Sequence, residues 1–418
     1  MRRNAVLLVT ISLLSGFGSS AMSLVAGIWI LDLTGSVSQA ALAGLCVFAP
    51  QLIGPWLGGL LDRLPRRPLL IATNLLLAAA LLSLLAVRTP GQTWLIFAVS
   101  LAYGVSYLLL DAGETALLPS ALSERELGDV NGWRSSAQEG MKLVAPAAGA
   151  GLYAWHGGPA VATLSAAMPI LVAALYAALR LTPTPASRAA APERGLRAGL
   201  AVLAGQRVLR VTVGLAAISI AMSGLTTAAL YQLVTVDLGL ASTFLGVLLS
   251  AQGAGSIVGG LLVGRAIARR GVLAVGVAGA VLFAIGLLAR CLPWWPGMVA
   301  GAVIAGVGLP WTLVAGVTAV QTSTPPALLG RVAATANTAM FGPIALAIPL
   351  GSAAVHLGAR PTLLAAAALC LAAAALAARP TSRLSEASGP ERSVLSGWLG
   401  GASGPERGVQ PELEGRPR

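Results

Sequence analysis

Five ionisable side chains lie inside two consecutive apolar stretches of the chain, where charged groups are rare. Asp111 and Glu114 are three residues apart in the first stretch, so they share one face of a helix. Arg134 and Lys142 share a face of the second stretch, and Glu139 precedes Lys142 by three residues. Charges in an apolar environment need a partner or a polar cavity. The spacing therefore predicts a charge network that joins Asp111 and Glu114 to Arg134 and Lys142.

Two interpretations of these acids stay open. In the first, Glu139, Asp111 or Glu114 takes up and releases a proton, because an apolar site favours the neutral carboxyl and brings its titration towards neutral pH. In the second, the acids and bases are permanently paired and only stabilise the packing of the helices. Asp32 and Asp237 lie at the ends of apolar stretches, and we interpret them as solvated.

The composition is that of a protein that crosses the membrane many times. Of its residues 56% are hydrophobic and 10% are charged, whereas about 25% of the residues of a soluble domain are charged. The net charge of +12 comes from arginines between apolar stretches, which argues against a nucleic-acid partner. The three cysteines form no CxxC pair, and no nucleotide-binding or hydrolase motif is present. We therefore expect no metal, no cofactor and no enzymatic activity.

Apolar stretches of about 20 residues are needed to cross a bilayer as helices. The sequence predicts twelve spans, at 5–31, 37–61, 69–87, 94–118, 133–156, 159–180, 208–236, 242–264, 272–290, 297–321, 331–355 and 361–378. They divide into an N-terminal half (1–181), a linker (182–207), a C-terminal half (208–378) and a disordered tail (379–418). Arginine is concentrated at the N-terminus and after even-numbered spans, and only Arg88, Arg290 and Arg360 fall on the other side. This asymmetry predicts that both termini are cytoplasmic, in the cell membrane of a bacterium.

A charged motif follows the second span and recurs, in altered form, after the eighth. The first copy consists of Gly58, Leu60, Asp62, Arg63, Arg66 and Arg67, and the second copy keeps Gly260, Arg265, Arg269 and Arg270. With twelve spans and a central linker, this repeated motif resembles that of the major facilitator superfamily. The resemblance implies an all-α membrane fold of two six-helix bundles that move a small molecule by alternating access. It also implies that Asp62 contacts the start of span 11 near Arg331 and acts as a gate.

Further segments are similar to the drug:proton antiporter branch, which holds macrolide and siderophore exporters. Leu117–Pro119 between spans 4 and 5, Leu329–Val332 at the start of span 11 and Leu33–Ser36 after span 1 carry this similarity. The motif of antiporters in span 5 is matched at Pro146 and Gly149, while Ala145 and Ala150 depart from it.

Together these features predict a secondary transporter that exports a small amphipathic compound, such as an antibiotic or secondary metabolite, in exchange for protons. No convincing buried charge is apparent in the C-terminal half, so we expect weakly polar residues to line the cargo cavity with Gln138: they are Gln232, Gln252 and Asn337. We expect a monomer in the lipid bilayer. The alternatives are an importer or facilitator of a nutrient or siderophore, and a membrane protein that transports nothing.

Overall fold

The protein, described by a computed structural model over residues 2–53, 65–181, 201–324 and 328–379, is almost entirely helical within those ranges. Nine helices of the described chain are long and apolar enough to cross a membrane. Two of these contain a reversal, at Gly157 and at Gly271, and each makes two crossings. A shorter apolar helix begins at Val37 and runs towards residues 54–64, which lie outside the described chain. The prediction of an all-α fold with twelve spans is confirmed.

The helices are numbered here by span. They are α1 (Arg2–Thr34), α2 (Val37–Phe48), α3 (Arg66–Ser83), α4 (Thr93–Ala121), α5 (124–156), α6 (158–178), α7 (Arg207–Leu225), α8 (244–270), α9 (272–290), α10 (Trp295–Ser323), α11 (Leu329–Phe341, continued by Ile344–Ala354) and α12 (Ala359–Ala378). Helices α5 and α6 belong to one helical stretch, Glu124–Ala178, and α8 and α9 to another, Phe244–Arg290. A short helix (Thr227–Gln232) and a π-turn (Leu233–Asp237) extend α7.

Single glycines make the reversals between α5 and α6 and between α8 and α9. Gly157 has φ +73° and Gly271 has φ +79°, a backbone region that is unfavourable for residues with a Cβ atom. One residue therefore suffices to turn the chain back across the bundle, between the fifth and sixth spans of the N-terminal half and between the second and third spans of the C-terminal half.

Two predicted helix boundaries were wrong. Helix α5 begins at Glu124 rather than at 133, because Ser123 caps it: the amide and hydroxyl of Ser123 both donate to Oε2 of Glu126, at 3.2 and 2.7 Å. Helix α8 continues to residue 270 rather than ending at 264, since nothing interrupts the helix before Gly271. The second copy of the charged motif consequently lies on a helix and not in a loop.

Parts of the predicted organisation lie outside the described residues. Of the predicted linker, residues 182–200 are outside, residues 201–205 are helical, and α7 begins at Arg207. Of the predicted tail, residues 380–418 are outside.

Hydrogen bonds at one end of the N-terminal half join the ends of α1, α4 and α6. The side-chain amide of the buried Asn4 donates to the carbonyl oxygens of Ala121, at 2.8 Å, and Arg180, at 2.7 Å. Its side-chain oxygen accepts from the amide of Arg180 at 3.2 Å, and Arg67 at the start of α3 donates to the carbonyl of Ala177. We call this end of the bundle the Arg67 end and the opposite end the Asp32 end.

The C-terminal half is held together by glycines that bring helix backbones into direct contact. A Cβ atom on Gly255 of α8 would lie 2.1 Å from the carbonyl oxygen of Val303 on α10, and one on Gly306 of α10 would lie 2.1 Å from that of Gln252. One on Gly308 would lie 2.4 Å from the amide nitrogen of Phe283 on α9. At these contacts no side chain fits between the helices, so α8, α9 and α10 pack as one layer.

The two halves contact each other from the middle of the bundle to the Asp32 end. On α8, a Cβ atom on Gly253 would lie 2.7 Å from the carbonyl oxygen of Lys142 on α5, and Ser250 accepts from the amide of Ala147 at 3.1 Å. Towards the Arg67 end this contact is lost. A Cβ atom on Gly140 of α5 or Gly264 of α8 would meet no atom of the described chain within 4 Å. The described halves are thus closed at the Asp32 end and separated at the Arg67 end along these two helices.

Candidate functional site

Two adjoining cavities lie inside the N-terminal half, and three of the candidate charged residues, Asp111, Glu114 and Lys142, line the first of them. That cavity has a volume of about 190 Å³ and is enclosed by α1, α3, α4, α5 and α6. The second, of about 410 Å³, lies between α1, α2 and α4 and is closed on one side by Phe341 of α11. The two share part of their lining, namely Ser19, Ser20, Tyr103, Tyr107 and Lys142. Serine hydroxyls and tyrosine rings therefore provide a surface that is both apolar and capable of hydrogen bonding.

Glu114 and Arg134 form the ion pair that the sequence predicts between spans 4 and 5. The Oε2 atom of Glu114 lies 2.6 Å from Nη2 of Arg134, and both side chains are largely shielded from solvent. Arg134 also donates through Nε to the hydroxyl of Ser12 at 3.2 Å and through Nη1 to Oδ1 of Asn131 at 3.1 Å. Since the guanidinium has three acceptors around it, its position is well defined and it joins α5 to α1 and α4.

Lys142 forms its ion pair within its own helix and not with the acids of α4. Its Nζ atom lies 2.5 Å from Oε1 of Glu139, and both side chains are about half exposed. The sequence placed Lys142 in a network with Asp111 and Glu114, and the structure does not bring these pairs together. Lys142 pairs with Glu139 because residues three apart on a helix are neighbours on its surface.

Asp111 is the acid that this arrangement leaves without a cation. Its side chain is exposed to the first cavity, one helical turn before Glu114. In the described part of the chain, the carboxylate of Asp111 receives no hydrogen bond and forms no ion pair. The three acids predicted as proton carriers thus differ: Glu114 and Glu139 each have a cation, and Asp111 has none.

Of the predicted gating motif, Gly58, Leu60, Asp62 and Arg63 lie outside the described residues. Arg67 lies at the start of α3, where its guanidinium donates to the backbone of α6. Arg66 also makes a contact there. In the second copy, Arg265, Arg269 and Arg270 are exposed on α8, as is Gly260. The expected contact between Asp62 and span 11 remains a prediction.

Pro146 and Gly149 of the antiporter-like motif lie at two helix crossings. A Cβ atom on Gly246 of α8 would lie 2.9 Å from the carbonyl oxygen of Pro146, so this part of α5 faces the other half. A Cβ atom on Gly149 would lie 3.0 Å from that of Ala21 on α1. Both residues are buried, and both allow close approach of a neighbouring helix.

The predicted polar cargo residues separate into two groups. Gln138 lines the first cavity together with the acids. Gln232, Gln252 and Asn337 are not among the residues that line either cavity in the described structure. Oε1 of Gln252 instead accepts from Nη2 of Arg290 at 2.8 Å.

Arg290 corrects the expectation that the C-terminal half has no buried charge. Its residue is 3% exposed, although it is the last residue of α9 and its position in the sequence suggests a solvated span end. The close contact of α9 with Gly301 of α10 leaves the side chain no path outwards, and it lies along the helices towards Gln252. The one sequence signal for a buried partner of Arg290 was a polar residue on the preceding helix, Gln252.

Asp32 is exposed, as the sequence predicts for the end of a span, but its carboxylate also has hydrogen-bond partners that the sequence does not indicate. Its carboxylate accepts from the hydroxyl of Tyr153 at 2.9 Å and from the hydroxyl of Ser242 at 3.0 Å. These bonds could not be predicted, because an acid at the end of a span carries no sign of its partners in the sequence.

Comparison with known proteins gives one family. The sequence profile described as Major Facilitator Superfamily matches residues 8–234 and 211–406. Macrolide efflux protein A of Streptococcus pyogenes is 28% identical over 128 residues, which are 30% of this chain and only 32% of that relative. A second sequence of the same protein, from a serotype M6 strain, matches equally.

Solved structures with the same architecture transport different compounds. The nucleoside transporter NupG is 15% identical and has a TM-score of 0.67, with 90% of this chain and 98% of that chain covered. A D-xylose-proton symporter is 15% identical, with a TM-score of 0.69 and coverage of 90% and 96%. A bacterial homologue of the iron transporter ferroportin, in an inward-facing state, is 15% identical, with a TM-score of 0.65 and coverage of 91% and 100%. At these identities the likeness establishes the fold alone.

Proposed function

Since the chain belongs to the Major Facilitator Superfamily and is a multi-pass membrane transporter, we propose that it exports a small amphipathic compound in exchange for protons. The cargo binds in the cavities of the N-terminal half, at the face turned towards the C-terminal half. The halves alternate between a state open at the Arg67 end and a state open at the Asp32 end.

The observation that carries this proposal is the unpaired carboxylate of Asp111. Glu114 and Glu139 are each neutralised by a cation within 2.6 Å, whereas no cation of the described chain pairs with Asp111. A carboxylate without an ion-pair partner is costly inside a membrane. Binding either a proton or a cationic group of the cargo removes that cost, and the two cannot both occupy one carboxylate. Competition for one acid is therefore a direct way to couple cargo exit to proton entry.

The distribution of arginines supports an assignment of which end of the bundle faces the cytoplasm. The Arg67 end carries Arg3, Arg67, Arg265, Arg269 and Arg270, and positively charged connections are retained in the cytoplasm. We therefore place the Arg67 end and both termini in the cytoplasm, with the Asp32 end outside the cell membrane of a bacterium. In that orientation the described conformation, separated at the Arg67 end, is the one that receives cargo from the cytoplasm.

Export rather than import is supported by two features. One is the similarity of a third of the chain to Macrolide efflux protein A. The other is the position of Pro146 at the contact of α5 with the other half. The same fold also belongs to a D-xylose-proton symporter, so the direction has to be measured and import is the alternative outcome.

The test is the accumulation of a panel of dyes and antibiotics in an efflux-deficient bacterial host, with and without a protonophore. We expect the wild type to lower accumulation of at least one compound and the protonophore to abolish that effect. Asp111→Asn should abolish it as well, whereas the exposed Asp129→Asn, an acid outside the cavity, should retain it. Raised accumulation would reverse the direction. An active Asp111→Asn variant that still responds to the protonophore would exclude Asp111 as the coupling acid.

A further inference from the structure

The carboxylate of Asp32 connects three helices at the closed end of the bundle. Asp32 lies near the end of α1, and its Oδ2 accepts from Tyr153 of α5, in the same half. Its Oδ1 accepts from Ser242, which precedes α8 and belongs to the other half. Each carboxylate oxygen thus has a separate partner. Because the acceptor is a carboxylate, both bonds are charge-assisted.

These bonds form where the two halves are already in contact. Nearby, the hydroxyl of Ser38 on α2 donates to the carbonyl of Ser352 on α11 at 2.8 Å, a second hydrogen bond between the halves. The packing of Gly246 against Pro146 lies on the same side of the bundle middle. At the Arg67 end, α5 and α8 are apart. A motion that opened the Asp32 end would have to break the bond between Asp32 and Ser242, whereas the bond to Tyr153 would move with the N-terminal half.

We propose that Asp32, Tyr153 and Ser242 form a clasp that holds the halves closed at the Asp32 end and sets the balance between the two transport conformations. Asp32 supplies the charge, Tyr153 orients the carboxylate from within its own half, and Ser242 is the bond that opens and closes. Tyr153 and Asp32 are positioning residues, because neither is placed at the cargo or at the coupling acid. The proposal rests on the alternating-access part of the proposed function, and not on its cargo, its direction or its coupling ion.

Removing the hydrogen bond between Asp32 and Ser242 should change the ratio of the two transport conformations without disturbing the packing inside either half. A hydrogen bond to a charged group contributes enough for about a tenfold change in an equilibrium ratio. Ser242→Ala is thus expected to shift the ratio of the two conformations about tenfold towards the one open at the Asp32 end. Asp32→Asn should shift the ratio in the same direction but by less, because the amide can still bond to the hydroxyls but lacks the charge that strengthens both bonds. Tyr153→Phe should have a smaller effect, since it leaves the bond to Ser242 in place.

Hydrogen–deuterium exchange of the full chain in lipid nanodiscs, without cargo, tests the clasp. The expected result for Ser242→Ala is reciprocal. Exchange rises in peptides that cover 31–40 and 238–246. It falls in peptides that cover 128–140 and 257–270, because α5 and α8 approach each other there in the conformation that is open at the Asp32 end. Ser242→Thr keeps the hydroxyl and should restore the wild-type pattern. Thr163→Ala is the matched control, because that exposed hydroxyl near the Asp32 end bonds only within its own helix, to the carbonyl of Pro159.

Two results would overturn the clasp. Faster exchange confined to 31–40 and 238–246, with 128–140 and 257–270 unchanged, would mean local fraying. An unchanged pattern in both Ser242→Ala and Asp32→Asn would mean that the bond does not affect the balance. Because no cargo or proton gradient is used, a reciprocal change would support the clasp even if the panel of dyes and antibiotics revealed no export. Loss of export with an unchanged clasp would concern the proposed function alone.

Discussion

Glu114 and Arg134 are joined by a 2.6 Å ion pair between α4 and α5 in the wall of a cavity, while Asp111, on the same face of α4 as Glu114, has no cation among the described residues. One guanidinium faces two acids one helical turn apart, and its bonds to Ser12 and Asn131 hold it beside the second. The position of Arg134 therefore decides which acid is structural and which is available for binding.

Removing the carboxylate of Glu114 should destabilise the protein. In Glu114→Gln the buried guanidinium of Arg134 loses its counter-charge, which costs about 3 kcal/mol of unfolding free energy. The double variant Glu114→Gln/Arg134→Gln removes both charges and should recover most of that loss. Glu139→Gln breaks a half-exposed pair and should cost no more than about 0.5 kcal/mol. Thermal unfolding of the purified variants measures these differences, and equal losses for Glu114→Gln and Glu139→Gln would contradict the structural role of the first pair.

Arg290 and Gln252 should respond asymmetrically to substitution. Within the described chain Gln252 is the one hydrogen-bond partner of Arg290, and Nε of Arg290 has none. Gln252→Ala would leave the buried guanidinium without that partner, at a cost of about 2 kcal/mol. Arg290→Met removes the charge and keeps a long apolar side chain, so its effect should be close to neutral. Melting temperatures of the two variants in detergent test the order, and a larger loss in Arg290→Met would mean that the charge has another partner.

The glycine contacts of the C-terminal half predict a sharp difference along α8. Gly255→Ala places a methyl group 2.1 Å from the carbonyl oxygen of Val303, and the helices must separate to accept it. Gly264→Ala, on the same helix, meets no atom of the described chain within 4 Å. We expect the first variant to give little monodisperse protein on size-exclusion chromatography and the second to match the wild type. Normal folding of Gly255→Ala would show that α8 and α10 can move apart.

Asn4 should make a large contribution to the stability of the Arg67 end. Its side chain makes three hydrogen bonds, to the carbonyls of Ala121 and Arg180 and to the amide of Arg180. Asn4→Ala leaves these backbone groups without their partner, for a loss of about 2 kcal/mol. Thr10→Ala, which removes a hydroxyl that bonds to the carbonyl of Val6 within α1, is the comparison. Limited proteolysis near residue 180 measures the effect, and equal rates in the two variants would contradict it.

The sequence predicted the helices better than the contacts between them. Hydrophobic length alone identifies a span, so the twelve spans are recovered, and the three-residue spacing of Asp111 and Glu114 places both on one face of α4. Spacing could not decide whether Lys142 turns to α4 or to Glu139, because both choices satisfy the periodicity. Arg290 was misjudged because a charge at the end of a span has the same sequence context whether its side chain points outwards or inwards. Asp32 is exposed as expected, and only its hydrogen bonds to Tyr153 and Ser242 could not be predicted.

The contact of α8, α9 and α10 through glycines also bears on how the cargo range of such a protein can change. With backbones touching at Gly255, Gly306 and Gly308, enlarging any of these residues breaks the packing of that layer. The walls of both cavities consist of serine, tyrosine and other replaceable side chains on α1 and α4. We therefore expect substitutions that change the range of compounds to fall in the cavity walls of the N-terminal half and not at these glycines of the C-terminal half.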